Sequence, residues 1–596
     1  MYRYKPPFSK GDKRMANEII CEKNFIKDIF KRWYRVPEYQ RPYVWEIEQV
    51  ETLLEDTIAA FRSNAESQYF LGSTVLKINE KSSDNLTYEE YDLLDGQQRL
   101  TTIFLMLAVI RDISENKNIY DLSRSAIFQE ENDFDNQPER LRIVFDIRDD
   151  VKNFVDEYVK LDDGTKKLDD LKTCASNNHE DISVRNMASA IITCQKFLQE
   201  LKQSCEFESY FKFFWNKILL VCVATKKFDD AFQLFTVLND RGLKLRNSDI
   251  LKATNLHEIK NDEDRKIYAG AWEEMEKYFG DDFDKFLSYV RTILVKRKAD
   301  MTLLKEFEEN IYSGKFYDRA TKQYLNRAPL LKKGKDTFKY IGNAFDIYRK
   351  VFELRDFNGS FEAANYLTLM TVGLEADYWT AAVLSFCQKF GFDTIAAYDN
   401  FCRFLRLLDK KVSADWIRSQ TPTTRIENVN AVIKAIEATD TSDKLLSSLT
   451  FDIKLSDLEP ILRADIYKKR YSKYLMLKLD LLYHGNSTQF QIPPTVSIEH
   501  ILPQNPPPNS QWRKDFSDAE REDWTDKLGN LILISRRKNS SLSNRDFVEK
   551  KKRYFANNIE LFSNSVRVLN SYDTWTFADL KQNHADVVKK LLEAYR

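Results

Sequence analysis

The spacing of hydrophobic residues predicts mixed strands and helices near the start of the chain and helices through its middle. In "VETLLEDTIAAF", which begins at Val50, apolar residues recur every three or four positions, as on one face of a helix. "YFLGSTVLKI" and "YDLL" are rich in apolar and β-branched residues and predict strands on either side of the polar loop "NEKSSDN". Helical spacing dominates from about residue 107 to 225. Amphipathic segments without a chemical motif continue from about 260 to 450, and a second mixed region begins near 455.

The chain has 596 residues, which is too long for a single hydrophobic core. The pattern predicts an α+β, multidomain and predominantly α-helical protein. We expect a mixed domain over residues 1–260, a helical linker domain over 261–450 and a second mixed domain over 451–596.

The composition indicates where the protein is located more clearly than it indicates the function. A hydrophobic fraction of 43% and a charged fraction of 31% predict a folded chain, and a net charge of -1 neither favours nor excludes nucleic acid. The seven cysteines form no CxxC pair, which argues against a disulfide framework and a structural zinc site. The N-terminus lacks the apolar core of a signal peptide, and no run of about eighteen apolar residues occurs. We therefore expect a cytoplasmic protein that makes no membrane contact.

Four polar residues accompany two short apolar strands in the C-terminal region. In "SIEHILPQ", Glu499 and His500 form the polar end of the first strand, and in "GNLILI" Asn530 begins the second. Asn539 follows nine residues later, ahead of a basic helix. A lone histidine is more often a core or surface residue than a catalytic one, but this histidine belongs to a spaced set.

The order of strand, strand and helix with these four residues resembles the ββα-metal (HNH, His-Me finger) nuclease fold. The resemblance implies that His500 is the general base, that Asn530 orients it, and that Glu499 and Asn539 bind Mg²⁺ or Mn²⁺. The chemistry agrees, because phosphodiester hydrolysis needs a base that works near neutral pH and a hard divalent ion with oxygen ligands. Glu499 replaces the usual aspartate of the motif, and no zinc-binding cysteines accompany it.

Basic residues cluster after the second strand. A run of charge is usually a solvated face, but beside a nuclease motif we predict that it contacts the phosphates of double-stranded DNA. The predicted DNA-binding residues are Arg536, Arg537, Lys538, Lys550, Lys551 and Lys552.

The stretch "YDLLDGQQRLTTIFLML" joins a strand to an apolar helix, which we expect to begin near Leu100. Gly96 permits a tight turn, and the N-terminus of a helix favours phosphate through its free N–H groups. Arg99 can bind phosphate oxygens in a fork, and Asp95 can hold Mg²⁺ directly or through water. The alternative for this stretch alone is a capped helix whose Arg99 pairs with a buried acid.

Two companion motifs give the stretch a context: "YQRPYVW" upstream and "FTVLNDRGLKLRNSDILK" downstream. Together with "EHILPQ…GNL", this order resembles the GmrSD-type modification-dependent (type IV) restriction endonucleases over about residues 15–255 and 455–560. The resemblance implies a ParB/sulfiredoxin-like N-terminal α/β domain with helical insertions, which binds and hydrolyses GTP or ATP, with Asp95 as a catalytic residue. It also implies a C-terminal HNH domain that cleaves modified phage DNA. The implied nucleotide-binding residues are Gln40, Arg41, Asp95, Gly96, Gln97, Gln98, Arg99, Asn239 and Arg241.

Several alternatives stay open at this stage. The chain can be a nucleotide-binding DNA sensor or regulator with little catalysis, or a toxin-like ribonuclease, since the metal finger does not select the sugar. The segment from Tyr39 to Trp45 can line a nucleotide pocket, contact a modified DNA backbone or form a bent edge packed on the core. Asn239 and Arg241 can complete the nucleotide pocket or merely hold a helix-turn-helix corner together. No P-loop occurs, and neither the DNA modification nor the nucleotide is predicted. A homodimer is one of the assemblies that the sequence leaves open.

Overall fold

The computed structural model describes residues 19–37, 40, 42–83, 86–131, 139–146, 149–177, 180–226, 246–318, 323–535, 544–555 and 562–596. These residues belong to two compact units, one ending at Gly270 and the other beginning at Ala271. The fold is mixed α/β and predominantly helical, as the sequence predicts.

The first unit is built on a six-stranded mixed sheet in the order β1-β8-β3-β4-β2-β7, beside a two-stranded pair β5-β6. The strands are β1 Ile20–Phe25, β2 Trp33–Val36, β3 Tyr69–Ser83, β4 Leu86–Asp95, β5 Phe128–Gln129, β6 Arg140–Leu141, β7 Ile143–Phe145 and β8 Ile218–Thr225. Strand β2 runs parallel to both β4 and β7, so the carboxyl ends of these three strands lie at one edge. That edge carries Asp95, at the end of β4.

One helix forms the centre of this unit. The helices are α1 Ile26–Ile29, α2 Ile47–Ser63, α3 Gln97–Ile113, α4 Lys117–Ile127, α5 Asp149–Phe154, α6 Leu168–Ser176, α7 Ile182–Gln203, α8 Phe207–Lys217 and α9 Asn247–His257. Helix α3 is buried on nearly all sides, because "LTTIFLMLAVI" is apolar on every face. It begins at Gln97 and not near Leu100, since Gly96 adopts the left-handed conformation and starts the helix directly. Helix α10, Asp262–Phe279, includes the residue at which the two units divide.

The second unit is mainly helical. Its helices are α11 Phe283–Val295, α12 Leu303–Lys305, α13 Lys335–Phe352, α14 Glu362–Gly373, α15 Thr380–Phe390, α16 Ile395–Ile417, α17 Pro422–Ala438, α18 Ser442–Leu446, α19 Leu455–Arg463, α20 Ser472–His484, α21 Gln511–Asp515, α22 Asp518–Trp524, α23 Phe547–Phe555, α24 Ser563–Ser571 and α25 Phe577–Ala594. A strand pair, β9 Lys315–Asp318 and β10 Gln323–Asn326, lies among them.

Buried polar contacts join the helical middle of the chain to its C-terminal region. Asp409 of α16 pairs with Lys478 of α20 and accepts a hydrogen bond of 2.7 Å from the Tyr474 hydroxyl. The hydroxyls of Ser413 and Tyr595 lie 2.8 Å apart. Residues from both regions therefore share one compact unit, and the division into three domains stays a prediction.

The expected order of strand, strand and helix occurs near the end of the second unit. Strand β11, Val496–His500, pairs antiparallel with β12, Leu531–Ser535, and helix α23 follows. Phe547 and Tyr554 of α23 pack in one core cluster with Ile532 and Ile534 of β12. In the described part of the chain, no helix is both long and apolar enough to cross a membrane. All seven cysteines are free thiols.

Candidate functional site

The strand pair brings the C-terminal motif residues into one neighbourhood. In the register of β11 and β12, His500 lies opposite Leu531 and Glu499 opposite Ile532. Asn530 directly precedes β12 and ends a short 3₁₀ turn, so it lies beside the end of the strand that carries His500. The two strands therefore bring together three of the four predicted residues.

His500 is nearly buried and has a defined set of neighbours. Its Nε2 lies 3.0 Å from Oδ1 of Asp526, and its ring packs against Tyr467 at a centroid distance of 4.1 Å. Burial lowers the pKa of His500 below the ordinary value of 6.5, and the hydrogen bond to Asp526 only partly opposes this. The imidazole is therefore mostly neutral near pH 7, the state in which it can accept a proton.

Asn530 is fully buried and acts on the backbone around His500. Its Oδ1 accepts a hydrogen bond of 2.7 Å from the N–H of Leu502, and its Nδ2 donates to the carbonyls of Leu502 at 2.9 Å and Thr525 at 2.8 Å. These bonds fix the chain two residues after His500 and one residue before Asp526. Asn530 contacts the loop and not the imidazole itself, and its role in orienting His500 stays a prediction.

Lys550 of α23 contacts both Glu499 and His500. Its Nζ donates to the carbonyl of His500 at 2.6 Å and lies 3.4 Å from Oε1 of Glu499, with 2% of its side chain exposed. Burial lowers the pKa of Lys550 and raises that of Glu499, because a low dielectric disfavours both charges, and each partner opposes the shift of the other. This position contradicts the surface location expected for Lys550 as a DNA ligand.

A helical pattern within the basic run explains the burial of Lys550. Phe547, Lys550 and Tyr554 are spaced three and four residues apart, so they share the face of α23 that packs on the strands. Lys551 is half-buried and binds the carbonyl of Tyr572 at 3.0 Å, whereas Lys552 is exposed. The three lysines therefore occupy three different environments.

The C-terminal helix supports the turn that carries Asn530. Nδ1 of His584 accepts the N–H of Gly529 at 3.2 Å, and Nδ2 of Asn583 donates to the Gly529 carbonyl at 2.6 Å. A Cβ at Gly529 would lie 2.5 Å from the Cα of His584, so only glycine fits between turn and helix. Burial lowers the pKa of His584 to about 4, and the charges of Lys527 and Arg463 add to this.

The described residues supply only some of the ligands that a hard divalent ion such as Mg²⁺ would need. Glu499 offers a carboxylate beside His500, and oxygen ligands of this kind suit Mg²⁺, which keeps several of its waters. Within the described ranges no group of three or more His, Cys, Asp or Glu side chains is arranged to hold an ion. An ion at this position would therefore need further ligands such as Asn539, water and the phosphate. Asn539 lies outside the described residues, as do Arg536, Arg537 and Lys538.

The stretch "DGQQR" lies at the edge where β2, β4 and β7 end. Gly96 has φ 82° and lets β4 pass directly into α3. The Asp95 carbonyl accepts a hydrogen bond of 2.6 Å from the hydroxyl of Thr74. Burial raises the pKa of the Asp95 carboxyl, and the N–H of Gly96 and the charge of Arg99 oppose this.

Arg99 projects from the first turn of α3 over an irregular part of β3. Its Nη1 donates to the Ser73 carbonyl at 3.2 Å, and a Cβ at Gly72 would lie 2.8 Å from that nitrogen. Gly72 has φ 135° at a register shift of the strand, a conformation that favours glycine. Arg99 makes no ion pair with an acid among the described residues, although its charge interacts with the Asp95 carboxyl, so the alternative in which it braces a buried acid stays open.

The predicted glutamines hold the loop after β2. Oε1 of Gln98 accepts the N–H groups of Val44 at 2.8 Å and Trp45 at 3.2 Å, and its Nε2 donates to the Pro42 carbonyl at 2.8 Å. Nε2 of Gln40 donates to the Leu94 carbonyl at 3.0 Å. These contacts anchor "PYVW" to α3 and Gln40 to the end of β4, so the amides of Gln98 and Gln40 have a structural role.

The cavity at this loop is small. It has a volume of about 20 Å³ and is lined in part by Pro42, Tyr43, Gln97 and Gln98. This volume holds roughly one water and no nucleotide. Gln97 is buried against the cavity. Tyr39, Arg41, Asn239 and Arg241 lie outside the described residues.

Comparison with known proteins covers both halves of the chain. The family pattern for the GmrSD restriction endonuclease N-terminal domain matches residues 23–256, and that for the C-terminal domain of the same endonucleases matches residues 458–590. A search among curated proteins gives no match. The first match includes Asp95 to Arg99, and the second includes Glu499, His500, Asn530 and Asn539. The two matches together span more than half of the chain, which belongs to the GmrSD family of restriction endonucleases, enzymes that act on DNA.

Proposed function

We propose that this restriction endonuclease is an anti-phage, modification-dependent enzyme with two activities. The C-terminal domain is an HNH nuclease that hydrolyses DNA phosphodiesters with a divalent metal ion. The N-terminal domain has a ParB-like fold, binds and hydrolyses GTP or ATP, and regulates the cleavage.

The observation that carries the nuclease proposal is the state of His500. Its imidazole is mostly neutral near pH 7, and its Nε2 is bound to Asp526. Nδ1 makes no hydrogen bond among the described residues, so it is the nitrogen that can take a proton from water. The water oxygen then bonds to phosphorus, its proton moves to Nδ1, and the bond from phosphorus to the leaving sugar oxygen breaks.

The surrounding residues support this step by holding the chain in place. Lys550 binds the carbonyl of His500, and Asn530 fixes the loop on both sides of the His500–Asp526 contact. A bound Mg²⁺ or Mn²⁺ would supply positive charge beside the phosphate and the leaving oxygen, held by Glu499 and Asn539.

The cleavage test uses a panel of plasmid DNA: unmodified, cytosine-methylated, glucosylated and phosphorothioate-modified, each with and without nucleotide. Wild-type protein with Mg²⁺ should cleave at least one modified plasmid faster than the unmodified one. His500→Ala should reduce that rate by about 10²–10⁴-fold, as expected for a lost general base. His484→Ala, a histidine of the same unit that contacts Thr488 and Ser563, serves as the control.

Cleavage by His500→Ala at the wild-type rate would contradict the assignment of this site. A parallel digest of RNA separates the DNA endonuclease from a ribonuclease. DNA binding without cleavage of any plasmid in the panel would favour the sensor.

The nucleotide part of the proposal is supported by Arg99 and its surroundings. The guanidinium lies close to Gly72 of β3 and near the N-terminus of α3. Among the described residues it donates one hydrogen bond, to the carbonyl of Ser73. A guanidinium with remaining donors near a helix N-terminus suits phosphate. Asp95 lies at the same edge and can hold the metal ion of a nucleotide complex.

Calorimetric titration of ATP and of GTP at equal Mg²⁺ tests this site. Arg99→Ala should weaken binding roughly 10- to 100-fold, because a charge-assisted hydrogen bond contributes about 1.5–3 kcal/mol. Asp95→Ala should reduce hydrolysis more than binding. Arg62→Ala, which removes an exposed arginine of the same unit, should bind as wild type does. Equal affinities for wild type and Arg99→Ala would mean that the stretch only braces a turn.

A further inference from the structure

Asp526 lies outside every motif of the chain, yet its carboxylate contacts the centre of the nuclease motif. Its Oδ1 lies 3.0 Å from Nε2 of His500 and 3.0 Å from Nε2 of Gln504. Asp526 belongs to the segment between the two strands, 26 residues from His500. Because the contact depends on the fold of that segment, no local spacing in the sequence indicates it.

We propose that Asp526 is a positioning residue of the nuclease site, whose carboxylate fixes the proton of His500 on Nε2 and leaves Nδ1 as the base. This inference rests on the proposed nuclease function. A neutral imidazole carries one N–H and one lone pair, and which nitrogen carries the proton depends on its partners. An ionised carboxylate only accepts hydrogen bonds, so its partner nitrogen must be the donor.

The backbone around Asp526 is anchored independently of its side chain. The carbonyl of Asp526 accepts the N–H groups of Ile466 at 2.9 Å and Tyr467 at 3.2 Å. Asn530 holds the carbonyl of the preceding Thr525, and the ring of Tyr467 packs on the imidazole. The carboxylate itself contacts only His500 and Gln504 among the described residues. Replacing the side chain should therefore remove the orientation of His500 and leave the backbone contacts in place.

The test measures kcat and KM for five variants on the plasmid that the wild-type protein cleaves fastest. Asp526→Ala should lower kcat at least about 10-fold, less than the roughly 10²–10⁴-fold expected for loss of the base. KM and the melting temperature should stay within about twofold and a few degrees of wild type, because DNA contacts and backbone anchors remain. Asp523→Ala removes an exposed carboxylate three residues earlier and should cleave as wild type does.

A double variant distinguishes positioning from general support of the fold. If Asp526 acts only through His500, then His500→Ala and His500→Ala/Asp526→Ala should cleave at the same residual rate, because residues that act as a unit are not additive. A further drop in the double variant, or a raised KM with a lower melting temperature, would make Asp526 a structural residue and overturn the proposal.

Asp526→Asn provides a second test, which is needed if Asp526→Ala has a lower melting temperature than the wild-type protein. The amide has the size of the carboxylate but can donate to Nε2, which stabilises the tautomer with its proton on Nδ1 and should also lower kcat at unchanged KM. Wild-type kcat in both Asp526 variants, with an inactive His500→Ala, would overturn this inference and leave the nuclease assignment intact. Wild-type cleavage by His500→Ala would instead overturn the nuclease assignment.

Discussion

At the scale of single residues, Lys550 and Lys552 show how neighbours in one basic run can have unrelated roles. Lys550 is buried and donates to the carbonyl of His500, whereas Lys552, two positions later, is exposed. A buried lysine with two acceptors stabilises the fold around the motif, while an exposed lysine without an ion pair among the described residues is available to phosphate. The two side chains should therefore respond differently to substitution.

Lys550→Met should lower the free energy of unfolding of the second unit. The substitution keeps the apolar stem but leaves the His500 carbonyl and the Glu499 carboxylate without their donor. An acceptor left without a partner in a buried place costs about 1–3 kcal/mol. Urea unfolding followed by tryptophan fluorescence measures the effect. A wild-type midpoint would show that the contacts of Lys550 contribute nothing to stability.

Lys552→Glu should weaken DNA binding at an unchanged melting temperature. If Lys552 contacts a phosphate, the slope of log affinity against log salt should become less steep by about 1, because fewer counterions are released. Fluorescence anisotropy at several salt concentrations, in the presence of EDTA, measures the slope. Lys444→Glu, an exposed lysine of α18, is the matched control. An unchanged slope for Lys552→Glu would mean that Lys552 is a solvated surface residue that does not contact DNA.

Gly72 offers a test of the nucleotide site that leaves Arg99 itself unchanged. Gly72→Ala introduces a Cβ 2.8 Å from Nη1 of Arg99 at a backbone position with φ 135°, so the guanidinium must move. Nucleotide affinity should fall by an amount similar to that of Arg99→Ala. The measurement is the same calorimetric titration.

Gly359→Ala is the control for backbone strain at Gly72. Gly359 has φ 77° and open space around its Cβ position, so the substitution adds strain without displacing a side chain. It should leave nucleotide affinity unchanged. Full affinity in Gly72→Ala would mean that the position of Arg99 over β3 is irrelevant to nucleotide binding.

At the scale of elements, the C-terminal helix α25 holds the turn before β12 in place. His584 and Asn583 bind both backbone groups of Gly529, next to Asn530. Asn530 in turn fixes the loop around His500. The predicted nuclease motif therefore contacts, through this turn, a helix more than fifty residues further along the chain. This support depends on a histidine, so it should be sensitive to pH.

The contribution of His584 to the stability of the second unit should fall as the pH decreases from about 6.5 towards 4. Burial lowers the pKa of His584 to about 4 from its ordinary value of 6.5. In that window the unfolded chain binds a proton that the folded chain does not. The contribution is complete above about pH 6.5 and is lost as the pH falls, by roughly 3 kcal/mol in total.

His584→Gln should flatten this dependence. The glutamine can still accept the N–H of Gly529 but does not titrate, so its unfolding free energy should decline less steeply over the same window. Urea unfolding of both proteins at several pH values provides the comparison. The variant also removes buried ring contacts, so the slope and not the absolute stability is the relevant quantity. Identical slopes would exclude His584 as the source.

The elements of the fold follow from local patterns more closely than the site does. The short apolar segments in "SIEHI" and "GNLILI" predict β11 and β12, and helical spacing predicts α2, because burial of one face of that helix imposes its period. The start of α3 differs by three residues, since Gly96 ends the strand abruptly. The contact between His500 and Asp526 joins residues that lie 26 positions apart, so no local sequence pattern indicates it. The burial of Lys550 was readable from its spacing to Phe547 and Tyr554.

At the scale of the whole molecule, the second unit joins the unexplained helical middle of the chain to the predicted nuclease region. Asp409 and Lys478 form a buried ion pair that also binds Tyr474, and the carbonyl of the terminal Arg596 accepts a hydrogen bond of 3.1 Å from Lys410. Removing one partner of such an ion pair strongly lowers stability, because the other charge remains buried without a partner. The helical middle therefore supplies partners that the C-terminal region lacks by itself.

The last prediction compares two fragments of the chain. Residues 262–596 keep the contacts between the helical middle and the C-terminal region and should unfold cooperatively in a thermal melt followed by circular dichroism. Residues 451–596, the predicted nuclease domain, lose Asp409, which leaves Lys478 unpaired at a cost of roughly 3–5 kcal/mol, and they expose the apolar surface of α20. Since small domains are stable by only about 5–15 kcal/mol, the shorter fragment should lose cooperative unfolding and nuclease activity. Cooperative unfolding of the shorter fragment at the temperature of the longer one would instead establish the nuclease as an independent domain, and the helical middle would then be the linker that the sequence predicts.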